Sequence, residues 1–464
     1  MAQLLGELLA PLRYEALPTP PAQRRSEPVP ASARDLYNAV VRWCEVRGSG
    51  EGPLAGLRVS VKDSVSVAGV PLGCGSALLE GYVPERDSAV LARILSQGGE
   101  VVAITNMDDL AASADGSSSF YGPTLNPFDR ERLAGGSSGG AAASLYLDGI
   151  DAAIGTDQGG SARVPASWCG VVGFKPSRDA IPYTGVVGTD QLLDHVGILA
   201  AEVEVVARVF AAVADSEGSP AEPAPSLPDL RLGLLTESLD PGLGTEPAVA
   251  EAVSALAAEL GGAGAGVESI SVPEHLETAA IETALSVEGL TSLLHGRAGA
   301  YGWESRSWPS VAAALQAGFG SRAERLSPQV KAALLIGNWL DECFGGVHYV
   351  EARRRCAEIA AAYDRALDRV DALIMPATPF TAPDRSPAAT VGEAVIRGWS
   401  PMANTAQFNL SGHPAISLPL CEVGGLPLGM MLVGRRGEDA RLLAVSRALE
   451  GALGRRPEAP PPPP

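Results

Sequence analysis

Two serines and one lysine in this chain have types and surroundings suited to nucleophilic chemistry. Ser137 lies in Gly135-Gly136-Ser137-Ser138-Gly139-Gly140. Ser161 closes Gly155-Thr156-Asp157-Gln158-Gly159-Gly160-Ser161. Glycines around a serine let backbone N–H groups crowd its hydroxyl, because no Cβ stands in the way. A serine hydroxyl attacks a carbonyl only when a base takes its proton. Lys62, inside Val59-Ser60-Val61-Lys62-Asp63, is a candidate base. Its apolar, β-branched neighbours predict a buried strand. Only three of the 35 Lys and Arg residues are lysines: Lys62, Lys175 and Lys331. Arginine keeps its proton in proteins, whereas burial lets a lysine lose it.

The elements between these residues alternate strand and helix. Strands are predicted at 57–62, 101–105 and 151–154, with helices at 87–97 and 141–147. After a Gly/Pro/Tyr-rich loop over 170–188 the pattern continues. A helix is predicted at 202–214, a strand at 230–235, a helix at 247–260 and a strand at 267–272. The stretch 276–368 is mostly helical, clearest over 353–370. Strands at 372–375, 415–420 and 429–433 and a helix at 439–453 complete the pattern. Such alternation implies an α/β fold. It predicts a mixed, mainly parallel sheet covered by helices, in a chain whose length a single large α/β unit can reach. Upstream, Leu4, Leu5, Leu8, Leu9 and Leu12 predict a short amphipathic helix. Residues 18–30 read as a proline-rich linker, and Ser32 as the cap of a helix over 33–47. Residues 216–228 read as a linker-like insertion, and 460–464 as a polyproline tail. The expected domain division is 1–53, 54–456 and 457–464.

Composition narrows the class. A net charge of −19 and 19% charged residues argue for a soluble globular protein and against phosphate-backbone binding. Six scattered cysteines without a CxxC pair argue for reduced thiols rather than a disulfide framework or zinc site. The expected setting is the cytoplasm, with no transmembrane helix, no nucleic-acid or membrane partner, and no metal or cofactor.

Lys62 in VKD, Ser137 in GGSSGG and Ser161 in GTDQGGSARVP resemble the amidase signature family. The resemblance continues through Gly173-Phe174-Lys175-Pro176, Asp194-His195-Val196-Gly197, residues 409–414 and residues 426–429. Gln158 makes the central motif similar to the nitrile-hydratase-associated enantioselective amidases. The related amidotransferases acting on charged tRNA usually carry threonine there. The resemblance implies Ser161 as nucleophile, Ser137 as bridging serine after a cis peptide, and Lys62 as base. It places the oxyanion hole at the N–H groups of Gln158, Gly159, Gly160 and Ser161. Ser138, Asp157 and Arg163 support the turns, with Arg163 paired to Asp157. The implied function is hydrolysis of a small amide to a carboxylate and ammonia through an acyl-enzyme, with a homodimer as the implied assembly. Departures at Ala162, Ser177-Arg178-Asp179 and Ile198 touch loops beside the site and bear on substrate range.

Rival readings stay open at this stage. An amine could intercept the same acyl-enzyme, giving an amide-forming or acyl-transfer enzyme. A non-catalytic binding subunit is a third reading. A phosphate-binding loop is disfavoured because GGSSGG lacks the lysine of GxxxxGK[ST]. A Ser-His-Asp hydrolase using Asp194 and His195 is disfavoured because Gly135-Gly136-Ser137-Ser138-Gly139, although it fits the GxSxG pattern, follows no predicted strand that would make it an elbow. His195 is expected in a loop at the site wall, and Cys169 as a core cysteine. Substrate walls are expected at 112–126, 182–194 and the helices after Leu276.

Overall fold

A computed structural model describes residues 25–28, 35–215, 222–296 and 308–454, the first of these as backbone only. The predicted helix at 4–12, residues 216–221 of the insertion and the polyproline tail lie outside the described residues. β1 is Arg25–Pro28, β2 Val40–Val46, β3 Arg58–Lys62, β4 Glu100–Thr105, β5 Ala152–Asp157 and β6 Val172–Lys175. β7 is His195–Ala200, β8 Arg231–Leu235, β9 Gly266–Ile270, β10 Ala372–Pro376, β11 Ala415–Val423 and β12 Leu426–Val433. They form one sheet in the order β1-β2-β4-β3-β5-β7-β6-β11-β12-β10-β8-β9.

The expected single large α/β domain with a mixed sheet is observed. Its balance of directions corrects the expectation of a mainly parallel sheet. Parallel pairing holds only for β4-β3-β5 and β10-β8-β9. The middle of the sheet, from β5 through β7, β6, β11 and β12 to β10, is antiparallel. Antiparallel neighbours need no crossover helix, so they leave no strand–helix alternation to read. β6 sits inside the stretch read as a loop over 170–188.

The helix read over 33–47 is also corrected. Asp35 accepts from the N–H groups of Tyr37 at 3.0 Å and Val40 at 2.8 Å. That turn launches β2, which pairs antiparallel with β4. Val40, Val41, Trp43 and Val46 suit a pleated strand better than a helix.

Alternation along β3 sends its side chains to two different layers. Val59 and Val61 join the main apolar core beneath the helices Ala89–Ser96, Val203–Val213 and Asp439–Leu453. Ser60 faces the other way, where its hydroxyl meets that of Ser144, 3.0 Å away, on the helix Gly139–Ser144. Lys62 has the same parity as Ser60, so its side chain enters that second layer. There small residues, Ala141 to Ala143, Ala153, Ala162 and Ala166, allow close packing. A third group of helices, Thr278–Leu294, Pro309–Arg322 and Pro328–Phe344, shares its own apolar cluster. Among the described residues, no helix is long and apolar enough to cross a membrane.

Candidate active site

β3, β4 and β5 run parallel, so their C-terminal ends open on one edge. Polar groups at that edge are not consumed by the sheet, and ligands in open α/β sheets bind there. Lys62 ends β3, and Thr156 and Asp157 end β5. The Lys62 side chain is fully buried. Its Nζ donates to Ser137 Oγ at 2.7 Å and to Thr156 Oγ1 at 2.7 Å. Burial lowers the Lys62 ammonium from 10.5 to about 7, and the nearby carboxylates of Asp108 and Asp157 only partly oppose this.

Ser137 is brought to Lys62 by the Gly-rich turn before the helix Gly139–Ser144. The Gly136–Ser137 peptide is cis. A Cβ at Gly136 would lie 1.8 Å from Asp108 Oδ2, so only glycine fits. Asp108 itself is fixed by the N–H groups of Gly116 and Ser118, at 3.0 and 2.8 Å.

The second turn docks on the first. Ser138 N–H donates to the Ser161 carbonyl at 3.0 Å, and Ser138 Oγ to the Thr156 carbonyl at 3.0 Å. Thr405 Oγ1 donates to the Gly159 carbonyl at 2.6 Å. Gly160 has φ +139°, and a Cβ there would meet Thr405 Oγ1 at 2.1 Å. The N–H groups of Gln158, Gly159, Gly160 and Ser161 have no acceptor among the described residues. They are free to face a ligand.

Asp157 and Arg163 hold this turn from behind. Arg163 donates to both Asp157 oxygens, at 3.0 and 2.7 Å, and to the Thr405 carbonyl and Asn409 Oδ1. Burial alone would raise the Asp157 carboxyl, but the guanidinium and the bond from Asn409 hold it well below the usual carboxylate range. Both side chains are fully buried. Removing one partner strands a buried charge, so Arg163→Met is expected to cost about 3–5 kcal/mol of stability. Urea unfolding measures this, and a loss below about 1 kcal/mol would show that the pair does not hold the turn.

Ser161 lines a partly open cavity. Its walls include Ala112, Thr189, Val287, Leu290, Trp399 and Met402. The three predicted wall regions therefore each contribute, through Ala112, Thr189 and the helix Thr278–Leu294. Trp399 and Met402 were not anticipated; nothing local marks them, since they arrive from a distant segment. Thr156 was missed as a partner of Lys62, although its place in the same motif was visible. Tyr183 was also missed: its hydroxyl accepts from Gln158 Nε2 at 2.7 Å.

His195 corrects the sequence reading. It is buried at the start of β7, opposite Asp157, and its Nδ1 faces the Leu193 carbonyl at 2.7 Å. It sits in a strand rather than a loop, and it is not among the residues lining the cavity. Cys169 is a buried core residue whose thiol donates to the Ala134 carbonyl at 3.3 Å; burial pushes its pKa up. Among the described residues, no group of three or more His, Cys, Asp or Glu side chains is arranged to hold a metal ion.

Known proteins resemble this chain in sequence and in fold. A family model described as Amidase matches residues 32–443. The enantioselective amidase of Rhodococcus rhodochrous is 33% identical over 468 residues, spanning 96% of this chain and 88% of that protein. A glutamyl-tRNA(Gln) amidotransferase chain of Symbiobacterium thermophilum is 34% identical over 420 residues, spanning 86% of this chain and 83% of that protein. A solved structure described as a crystal structure of amidase superposes with a TM-score of 0.73 at 31% identity. It covers 87% of this chain and 86% of its own.

Proposed function

We propose, from the premise that this chain belongs to the amidase signature family, that it hydrolyses a small carboxylic amide to a carboxylate and ammonia through an acyl-enzyme on Ser161. One observation carries the reading: a fully buried lysine, lowered to about 7, donates to Ser137 at 2.7 Å. A lysine in that state is neutral for much of the time near pH 7 and can accept a proton.

In the proposed sequence Ser161 Oγ attacks the amide carbonyl. Its proton passes to Ser137 Oγ as the Ser137 proton passes to Lys62 Nζ. The carbonyl oxygen becomes an oxyanion among the N–H groups of Gln158 to Ser161. Aligned donors of that kind are each worth roughly 3 kcal/mol in the transition state. The protons return along the same path to the leaving nitrogen, and ammonia departs. Water then attacks the ester, its proton following the same relay, and the carboxylate is released. Asp157 and Arg163 act as positioning residues, and Ser138 ties the two turns together.

Thr156 supplies a test of the base. Its hydroxyl accepts from Lys62 and donates to Gln158 Oε1 at 3.2 Å. An acceptor stabilises the ammonium more than the neutral amine. Thr156→Val is therefore expected to shift the acid limb of the kcat/KM profile downward, by up to about one pH unit. An upward shift would contradict the assignment.

The amidotransferase relative keeps acyl transfer in view as the second reading. Ammonia release from a panel of aliphatic and aromatic primary amides, with and without hydroxylamine as acceptor, separates the two. Hydrolysis predicts ammonia and free acid in equal amounts without an acceptor. Turnover only with an acceptor would favour transfer. Absence of turnover and of Ser161 labelling by a fluorophosphonate would favour a binding subunit. We further propose a reducing, cytoplasmic setting, consistent with the six free cysteines, and a homodimeric assembly.

A further inference from the structure

We propose that Glu282 makes the Ser161 cavity selective for amides whose non-reacting portion carries a primary ammonium group. The inference rests on the amidase reading and names its substrate class.

The cavity wall is mostly apolar, with Ala111, Ala112, Val287, Leu290, Ala333 and Trp399 around it. Trp399 spends its one donor on the Ala112 carbonyl, at 2.9 Å. Glu282 is the one ionisable side chain in this lining. One turn before Ser286, whose hydroxyl donates to the Thr283 carbonyl at 3.3 Å, Glu282 projects from the helix Thr278–Leu294. No described lysine or arginine pairs with it. A carboxylate in such a wall pays for lost hydration unless a cation joins it. Burial accordingly raises its pKa to about 7, with Ser286 opposing the rise. An incoming ammonium restores the missing charge. Its three N–H donors exceed what one carboxylate takes up, and Ser286 and Thr189, both hydroxyl-bearing, line the same cavity.

The carboxylate is close to the reacting turn. A Cβ built on Gly159 would stand 3.6 Å from Glu282 Oε1. Gly159 belongs to the same short turn as Ser161. A cation at Glu282 therefore lies a short spacer away from a carbonyl attacked by Ser161. An ω-amino aliphatic amide has this shape, and the apolar wall suits its methylene chain.

The test compares 4-aminobutanamide with its neutral isostere pentanamide at pH 8, in wild type and Glu282→Gln. Wild type is expected to favour the ammonium substrate at least about tenfold in kcat/KM, and E282Q to lose that preference. About tenfold is the scale of one charge-assisted contact. Hydrolysis of both amides with a wild-type ratio near one, or with the same ratio in both proteins, overturns the inference and leaves the amidase reading standing. If wild type hydrolyses neither amide, protection of Ser161 from fluorophosphonate labelling decides. Butylammonium is then expected to protect wild type about tenfold better than E282Q, with 1-butanol as control. That result keeps the ammonium subsite while the hydrolase reading falls. Equal protection, or none, overturns the subsite.

Discussion

Ser161→Ala is expected to lower kcat for amide hydrolysis by on the order of 10⁶, with KM little changed, as for removal of the nucleophile in other serine hydrolases. The reason is local. Ser161 sits where the turn bears free N–H groups and where the cavity reaches the protein backbone. In the proposed mechanism its Oγ forms a covalent bond only along the reaction, so its loss removes transition-state stabilisation rather than ground-state binding. The remaining N–H donors would leave a residual rate above that of water alone. In the proposed relay Ser137 acts with it as one unit. The Ser137→Ala/Ser161→Ala double variant should therefore be no slower than Ser161→Ala alone. Stopped assays of ammonia release with each purified variant measure this. Retention of more than a tenth of wild-type activity by Ser161→Ala would remove it from the nucleophile's role.

The candidate site was legible in sequence because its residues are compressed into short motifs. Lys62, Ser137 and Ser161 each announce themselves by neighbours that dictate backbone shape, a β-branched run or paired glycines. Asp157 and Arg163 lie six residues apart, flanking the turn they brace, so their pairing could be read as well. What was lost is whatever depends on distant segments. Glu282 looks like any glutamate on a helix until that helix is laid over the edge of the sheet beside Gly159. Met402 and Thr405 reach the turn from the far end of the chain. The misread strands have a similar cause. β6 and β7 are joined to antiparallel neighbours, and β2 is recruited by pairing with β4, so none carries the crossover helix that betrayed β3 and β5. Short apolar runs do not reveal their partners, and register and direction come from tertiary pairing.

Lys62 should show the opposing demands of stability and catalysis in a single side chain. Its folded-state pKa of about 7 lies below the ordinary 10.5. Below about pH 7 both folded and unfolded chains hold the proton, so the folded state bears the full cost of a buried ammonium. Between about 7 and 10.5 the unfolded chain binds more protons than the folded one, and stability attributable to this group rises with pH. Above that range both forms are neutral and the cost is gone. Lys62→Met removes the buried charge, a gross gain of about 4–5 kcal/mol near pH 7 by the shift alone. It also leaves Ser137 Oγ and Thr156 Oγ1 without their donor, which offsets about 1–3 kcal/mol. The variant is thus expected to be more stable than wild type at pH 7, with an advantage that shrinks toward pH 10.5. Urea unfolding at several pH values reads this directly. The same substitution should lower kcat on the order of 10⁴ or more, since proton transfer to a base is worth up to about that factor. In wild type kcat/KM should rise about tenfold per pH unit below 7 and level off above it, as the neutral amine becomes the dominant form. A flat profile between pH 5.5 and 8 would separate Lys62 from the proton path. A Lys62→Met protein less stable than wild type at pH 7 would show instead that its two hydrogen bonds outweigh the buried charge. Seen together, stability gained where activity is lost would identify a lysine kept in the core for its proton.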